Sequence, residues 1–411
     1  MLSETLLLKN ACVLDVDAGT ITPRQNVLLA DGKIASLSAG TAGAAREIDL
    51  EGRTLMPGLI DCHLHICADS MTAYPTQFPS LAAARAAKIM RDTLMRGFTT
   101  VRDAGGADAG FRIAVEQDLF TGPRIFVSGR PISATGGHGD LRNPADFAPR
   151  DALSAELTRF VTADGVTEVR RAAREELRRG ADQVKILASG GISSPSDPLD
   201  HDQFAIDEIE AVVDEATRTG RYVAAHAYMP SAISRSVEAG VRTIEHGNFI
   251  DEKAASLMAA RGAYLVPTLV VYKRVVEHAR EIGISAFHLA KAKEVLAVGT
   301  RSLEIAARAG VKMGFGTDLF RAPKEHQCEE FLIRNAVQSA ADIIRSATVI
   351  GAEIVRMEGQ LGRVKEGYIA DLIVIDGDPL SDLDLFQHQG RHIPAIIKGG
   401  RFEKNTLAEA A

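Results

Sequence analysis

The 411-residue chain has no tryptophan, only four cysteines and 5% aromatic residues, and none of its apolar runs approaches the roughly 20 residues that cross a bilayer. Cys12, Cys62, Cys67 and Cys328 are too few and too scattered for a disulfide framework, and none forms a C-x-x-C pair. A reducing, cytoplasmic setting is therefore expected. The first ten residues lack a basic region, a long apolar stretch and a small-residue cleavage site, so no export leader is expected. Basic runs are also missing: 47 Lys and Arg are mixed among 54 Asp and Glu for a net charge of -7, which argues against nucleic acid and membrane as partners. There is no low-complexity tract and no fixed-period repeat. What is present, 46% hydrophobic and 25% charged residues, belongs to a well-buried globule. At about 150 residues per domain, with barrels reaching about 250 or more as one unit, the length suits one large domain and a small one.

Both ends of the chain read as short strands joined by tight turns. Apolar runs at 6–8, 27–30 and 48–50 are followed, in the last two cases, by Asp31-Gly32 and Glu51-Gly52, and such dipeptides signal hairpins. Runs at 370–375 and 396–398 repeat the texture, the latter turning at Gly399-Gly400. Between the ends lie eight short apolar runs, at 59–61, 99–101, 125–127, 183–186, 222–225, 243–245, 263–266 and 313–315. Stretches such as 168–179 and 207–219 space their apolar residues for one buried helix face. Eight such alternations predict parallel strands covered by helices, an α/β chain closing as a (β/α)8 barrel, with a doubly wound open sheet as the alternative. The longest loops, 133–165 and 189–202, follow the third and fourth runs on the face where barrels build their sites.

Donor side chains recur at the ends of these runs. His63 and His65 alternate onto one side of an extended strand and can chelate a single ion. Lys185 lies inside the fourth run, His226 ends the fifth, His246 ends the sixth and Asp318 follows the eighth. Singly, each has an ordinary role as a core histidine, a paired lysine or a helix cap. Jointly they put a nitrogen or oxygen donor at five strand ends on one face, which points to a metal site.

The string from Met56 to His65 (MPGLIDCHLH), with Lys185, His226, Glu245-His246-Gly247-Asn248 and Gly316-Thr317-Asp318, resembles the amidohydrolase superfamily. The segment 367–374 looks like that superfamily's return to a small β-sandwich, and the likeness spans nearly the whole chain in order. Within it, the chain is most similar to binuclear-zinc, prolidase-like carboxypeptidases related to imidazolonepropionase. Thr135-Gly136-Gly137-His138, residues 185–191, His226-Ala227-Tyr228 and Pro267-Thr268-Leu269 carry this closer likeness.

The resemblance implies a (β/α)8 TIM barrel over 57–358 and a composite β-sandwich of 1–56 and 359–411. It also implies two Zn2+ ions, with other divalent ions admissible. His63, His65 and Asp318 would hold the buried ion, His226 and His246 the exposed one, and Lys185, carboxylated by CO2, would bridge them. A metal-bridging hydroxide would attack the amide of a dipeptide or N-acyl amino acid, with Asp318 as base and then acid. His138 would stabilise the oxyanion and approach the substrate, and Tyr228 would contact its carboxylate. The alternative substrate is a non-peptide amide, urea or carbamate. The only partner this implies is that small-molecule or dipeptide substrate, and assembly into a homo-oligomer stays open. A silent barrel would have lost ligands, and none is missing. His201, His278, His288, His326, His388 and His392 match no ligand position, although His201 and His326 lie in strand-end loops within reach of a substrate. Cys62 should point away from His63 and, with Cys67, serve packing. Gly105-Gly106 and Gly190-Gly191 read as close-approach turns, and the loop 141–165 is expected to cover the substrate's amino-side group.

Overall fold

The computed structural model of the protein describes residues 5–38, 44–67, 78–140, 142, 145, 160–194, 197–319 and 324–407. The amino-terminal segment forms β1 (Leu6–Asp15), β2 (Thr20–Ala30), β3 (Lys33–Ser38), β4 (Arg46–Asp49) and β5 (Thr54–Pro57). Asp31 and Gly32 have positive φ, and β2 and β3 form the hairpin the sequence predicts. Glu51-Gly52 is different. It makes a positive-φ turn, but β4 and β5 each pair with β1 in parallel rather than with one another, so no hairpin forms there. Local turn chemistry sets the reversal, while β1 offers both strands a longer apolar partner.

Next come β6 (Leu59–Leu64), α1 (Pro79–Met95), β7 (Phe98–Asp103), α2 (Ala109–Glu116), β8 (Arg124–Val127), β9 (Ile132–Ser133), β10 (Val161–Thr162), α3 (Gly165–Arg178), β11 (Val184–Leu187), α4 (Ile206–Arg218), β12 (Val223–Ala227), α5 (Pro230–Glu238), β13 (Thr243–His246), α6 (Glu252–Arg261), β14 (Tyr264–Val266), α7 (Leu269–Glu277), α8 (Ala279–Ile282), α9 (Ala286–Arg308) and α10 (Glu329–Arg334). Strands β6 to β8 form one parallel sheet, and β10-β9-β11-β12-β13-β14 form another. Every residue of β6, β7 and β11 to β14 is buried, as continuous apolar strands require when both faces are covered. On α3, Val169, Ala172 and Ala173 face inward, and on α4 Ile209, Val212 and Ala216 do so. Arg174 and Glu215 join the two helices outside, with Nε to Oε2 at 2.9 Å.

Seven of the eight expected runs are strands. The eighth is not: Met313 makes an isolated bridge to Leu265, and the rest of 313–318 runs on without a ladder. Single hydrogen bonds tie it to β6, from Cys62 N–H to Phe315 O (2.7 Å) and from Asp318 N–H to His63 O (2.7 Å). Gly316 packs so tightly that a Cβ would lie 2.5 Å from Val266 Cγ1. The strand pairing therefore leaves two parallel sheets rather than one closed ladder. β9 and β10, two residues each, are too short to show periodicity in sequence.

The carboxyl-terminal strands β15 (Leu372–Ile375), β16 (Ala395–Lys398) and β17 (Arg401–Asn405) extend the first sheet, in the order β17-β16-β15-β5-β1-β2-β3. The turn between β2 and β3 touches the turn between β16 and β17, and a Cβ on Gly400 would lie 2.9 Å from the Cα of Gly32. Among the described residues, no helix is long and apolar enough to cross a membrane.

Candidate metal centre

Parallel register brings the donor residues level. Leu187 pairs with His226, His226 with Glu245 and Ala227 with His246, so the ends of β11, β12 and β13 open on the same side as β6. Alternation sends His63 inward and Cys62 away, where its sulfur lies 3.9 Å from Gly351 O. Burial pushes the Cys62 thiol up to about 12, so it is no thiolate ligand. His246 and Asp318 have positive φ, 73° and 48°, a conformation that non-glycine residues seldom adopt and that concentrates at functional sites.

His63, His246 and Asp318 offer ligand atoms that all lie within 4.8 Å of one another. Asp318 Oδ1 is also 3.2 Å from His65 Nε2 and 3.5 Å from His63 Nε2. The ring centroids of His63 and His226 lie 4.9 and 4.5 Å from that of His246. His138 stacks on His226 at 4.4 Å and Tyr228 on His246 at 5.2 Å. Lys185 is buried in the same pocket, and its Nζ has no hydrogen-bond partner among the described residues. Burial lowers His63 to about 4, His138 to about 3, and His226 and His246 well below the ordinary value. Neutral imidazoles keep a lone pair for a cation. Burial likewise brings Lys185 down to about 8, towards the amine form. Burial would raise the carboxyl of Asp318, but His63 and His65 hold it well below the carboxylate range.

Residues 54–401 match the sequence model of the Amidohydrolase family. The chain belongs to the amidohydrolase family. It is therefore similar to enzymes that act on carbon–nitrogen bonds, and its relatives bear this out. A prolidase solved in complex with N-methylphosphonate-L-proline is 44% identical, with a TM-score of 0.95 over 98% of this chain and all of that one. A Xaa-Pro dipeptidase with methionine bound in its active site is 29% identical, with a TM-score of 0.88 over 98% and 100% of the two chains. The ochratoxinase of Aspergillus niger is 31% identical over 365 residues, 85% of this chain and 75% of that one.

The donor set of this amidohydrolase fits divalent ions. Imidazole and carboxylate ligands suit zinc, and a buried lysine nitrogen with no partner is a vacancy in the hydrogen bonding that a carboxylated side chain would fill. Three buried acids hold the candidate ligands from behind. Glu245 Oε2 accepts from His63 Nδ1 (2.7 Å), while its carboxylate also receives Arg102 Nη2 (2.6 Å) and Thr243 Oγ1 (2.6 Å). Asp103 accepts from Gly105 N (2.9 Å) and Ile66 N (2.8 Å), and Gly105 O in turn accepts from His65 Nδ1 (2.7 Å). Asp61 accepts from His63 N (3.0 Å), Thr317 Oγ1 (2.7 Å) and Gln327 Nε2 (2.8 Å), tying β6 to the Asp318 segment. The sequence reading assigned none of these three a role. Acids buried inside apolar strands were the available signal. Glu245→Gln keeps an acceptor but loses the charge, and metal affinity should fall about tenfold or more in chelator competition, since such partners are worth about 10- to 100-fold. Unchanged affinity would show that Glu245 serves only Arg102.

The pocket beside the centre is walled by Ile192, Val271, Val275 and Ile284, with Tyr272 and His288. Tyr228 reaches it as expected, but its hydroxyl lies 2.9 Å from that of Tyr272, which is itself 3.0 Å from His246 Nδ1. Of the remaining histidines, His201 is exposed and His326 pairs with Glu329 at 2.5 Å, and neither lines the pocket. His288 does, because the first turn of α9 borders the pocket in the connection between the seventh and eighth runs, away from any strand end. Most of the loop 141–165 lies outside the described residues.

Proposed function

We propose that this amidohydrolase cleaves the amide bond of dipeptides or N-acyl amino acids that carry a free α-carboxylate, as a prolidase-like carboxypeptidase. The observation that carries the reading is the convergence of His63, His65, His226, His246, Asp318 and the unpartnered Lys185 on one pocket that also holds His138 and Tyr228. The likeness to a prolidase complexed with a phosphonate of proline supports it. In this reading 57–358 is a barrel, 1–56 and 359–411 form a β-sandwich, and the four free cysteines suit the cytoplasm.

His63, His65 and Asp318 would hold one zinc ion and His226 and His246 a second, with Lys185 between them as a carbamate formed when its neutral amine adds CO2 and releases a proton. When bound, the ions polarise the amide carbonyl and lower the pKa of water to about 7. Asp318 accepts the proton of the attacking water and delivers it to the leaving nitrogen, which cannot depart as an amide anion. His138 donates to the carbonyl oxygen as negative charge develops there. Tyr228 turns its hydroxyl from Tyr272 to the substrate carboxylate.

Tyr228→Phe should cut kcat/KM for an N-acyl amino acid about ten- to a hundredfold, the worth of a charge-assisted hydrogen bond of roughly 1.5–3 kcal/mol, and leave the carboxamide of that substrate nearly unaffected. Equal losses on both would remove Tyr228 from carboxylate recognition. The likeness to ochratoxinase supports a second reading, a non-peptide amide, urea or carbamate in the same pocket.

A further inference from the structure

The apolar wall of the pocket is built from three places in the chain. On α7, Val271 and Val275 are four residues apart and share one helix face. Ile192 comes from the loop after β11, and Ile284 from the connection between α8 and α9. All four line the pocket, and they form one apolar cluster with Tyr228 and Tyr272. Ala292 and Val295 of α9, both fully buried, belong to the same cluster. α7 is also anchored away from it, since Val270 packs on Leu319 and its N–H donates to Glu330 Oε2 (2.7 Å). Contacts within the chain therefore hold the wall in place.

The polar groups near the wall are already engaged. Tyr228 and Tyr272 hydrogen-bond to each other, and His288, four residues on from Ile284, has Nδ1 3.0 Å from Ser285 Oγ and Nε2 3.0 Å from Ser194 O. Among the described residues that line the pocket, the only carboxylate is Asp318 and the only ammonium Lys185, both members of the candidate metal centre. A charged side chain laid against the wall would lose its water without gaining a counter-ion from it, which is costly.

The position of the wall decides which part of a substrate it meets. The carboxylate and the side chain of an amino acid leave the same α-carbon, so the site for one adjoins the site for the other. Tyr228, the partner of the carboxylate in the reading above, belongs to the same cluster as the wall. Pro131 and Phe160 line the pocket elsewhere: Pro131 lies against Gly105, whose carbonyl holds His65, and Phe160 lies against Gly139, next to His138. We infer that Ile192, Val271, Val275 and Ile284 form the subsite for the side chain of the released amino acid, and that the enzyme prefers large apolar side chains, such as those of leucine, methionine and phenylalanine, over small or charged ones. The inference rests on the reading of Tyr228 as the carboxylate's partner and names the substrate class within it.

The test compares kcat/KM of the zinc- and bicarbonate-supplemented enzyme on the N-acetyl derivatives of alanine, norleucine, leucine, phenylalanine and lysine. Leucine, phenylalanine and norleucine should each exceed alanine about tenfold or more, the worth of burying a few carbons. Lysine, which adds only an ammonium to the four-carbon chain of norleucine, should fall about a hundredfold or more below it. Val275→Ala should lower the norleucine-to-alanine ratio about tenfold, and Ile284→Glu should raise the lysine-to-norleucine ratio about tenfold or more by supplying a counter-ion. Where Val275→Ala does not fold, Ile284→Ala, on a half-buried residue outside the helices, takes its place. Equal turnover of alanine and norleucine, or of lysine and norleucine, by the wild-type enzyme overturns the inference and leaves the carboxypeptidase reading standing. So do unchanged ratios in the folded variants. Turnover of none of the five by metal-loaded enzyme overturns that reading, and the inference with it.

Discussion

Lys185→Ala should bind less than one metal ion per chain and lose roughly a thousandfold or more in kcat/KM, since the ions supply several kcal/mol of transition-state stabilisation. The expectation follows from a lysine placed where an ammonium is poorly accommodated. Lys185 is buried, its Nζ has no hydrogen-bond partner among the described residues, and burial lowers it to about 8, so at neutral pH more of it is the amine that reacts with CO2 than would be for an exposed lysine. Once carboxylated, the group is an anion with two oxygens among neutral imidazoles. Short carboxylates such as formate or acetate should restore part of the metal and part of the activity in the variant. Full metal occupancy in Lys185→Ala would show that the lysine is no ligand.

Asp318→Asn should leave the fold and the backbone conformation in place and cut kcat about a hundredfold or more. Asparagine tolerates the positive φ of 48° at this position, so the change isolates charge and basicity from backbone strain. The wild-type side chain is an ionised carboxylate, with oxygen lone pairs that can take a proton. An amide cannot take one. Near-normal kcat in a variant carrying its full metal would assign the proton transfer to another group.

The donor residues were legible because each interrupts or follows an apolar run, Lys185 inside β11 and His226 and His246 towards the ends of β12 and β13, and parallel register brings these level. His226 and His246 needed only the pattern. Arg102, Glu245, Asp103 and Asp61 stayed hidden although they too lie in buried strands. Sequence shows a charged residue in a strand but not the partner across the sheet, and the pairings Arg102–Glu245 and Asp61–Gln327 span 143 and 266 residues. The eighth run reads as a strand from its apolar residues, but packing against β6 and β14 takes single hydrogen bonds and no ladder. Glu51-Gly52 misled in the same way, because turn residues specify a reversal and not the neighbour that a strand then finds. His288 was out of reach because it belongs to the first turn of a helix that borders the pocket, where strand-end reasoning does not extend.

The most direct measurement is kcat/KM of the zinc- and bicarbonate-supplemented enzyme on matched compounds: N-acyl amino acids and Xaa-Pro dipeptides, the same compounds with the carboxylate amidated, and phenylureas. The account predicts turnover of the free acids, a loss of about ten- to a hundredfold on amidation, and little or no cleavage of the ureas. Equal turnover of acid and amide, or preference for the ureas, would contradict it.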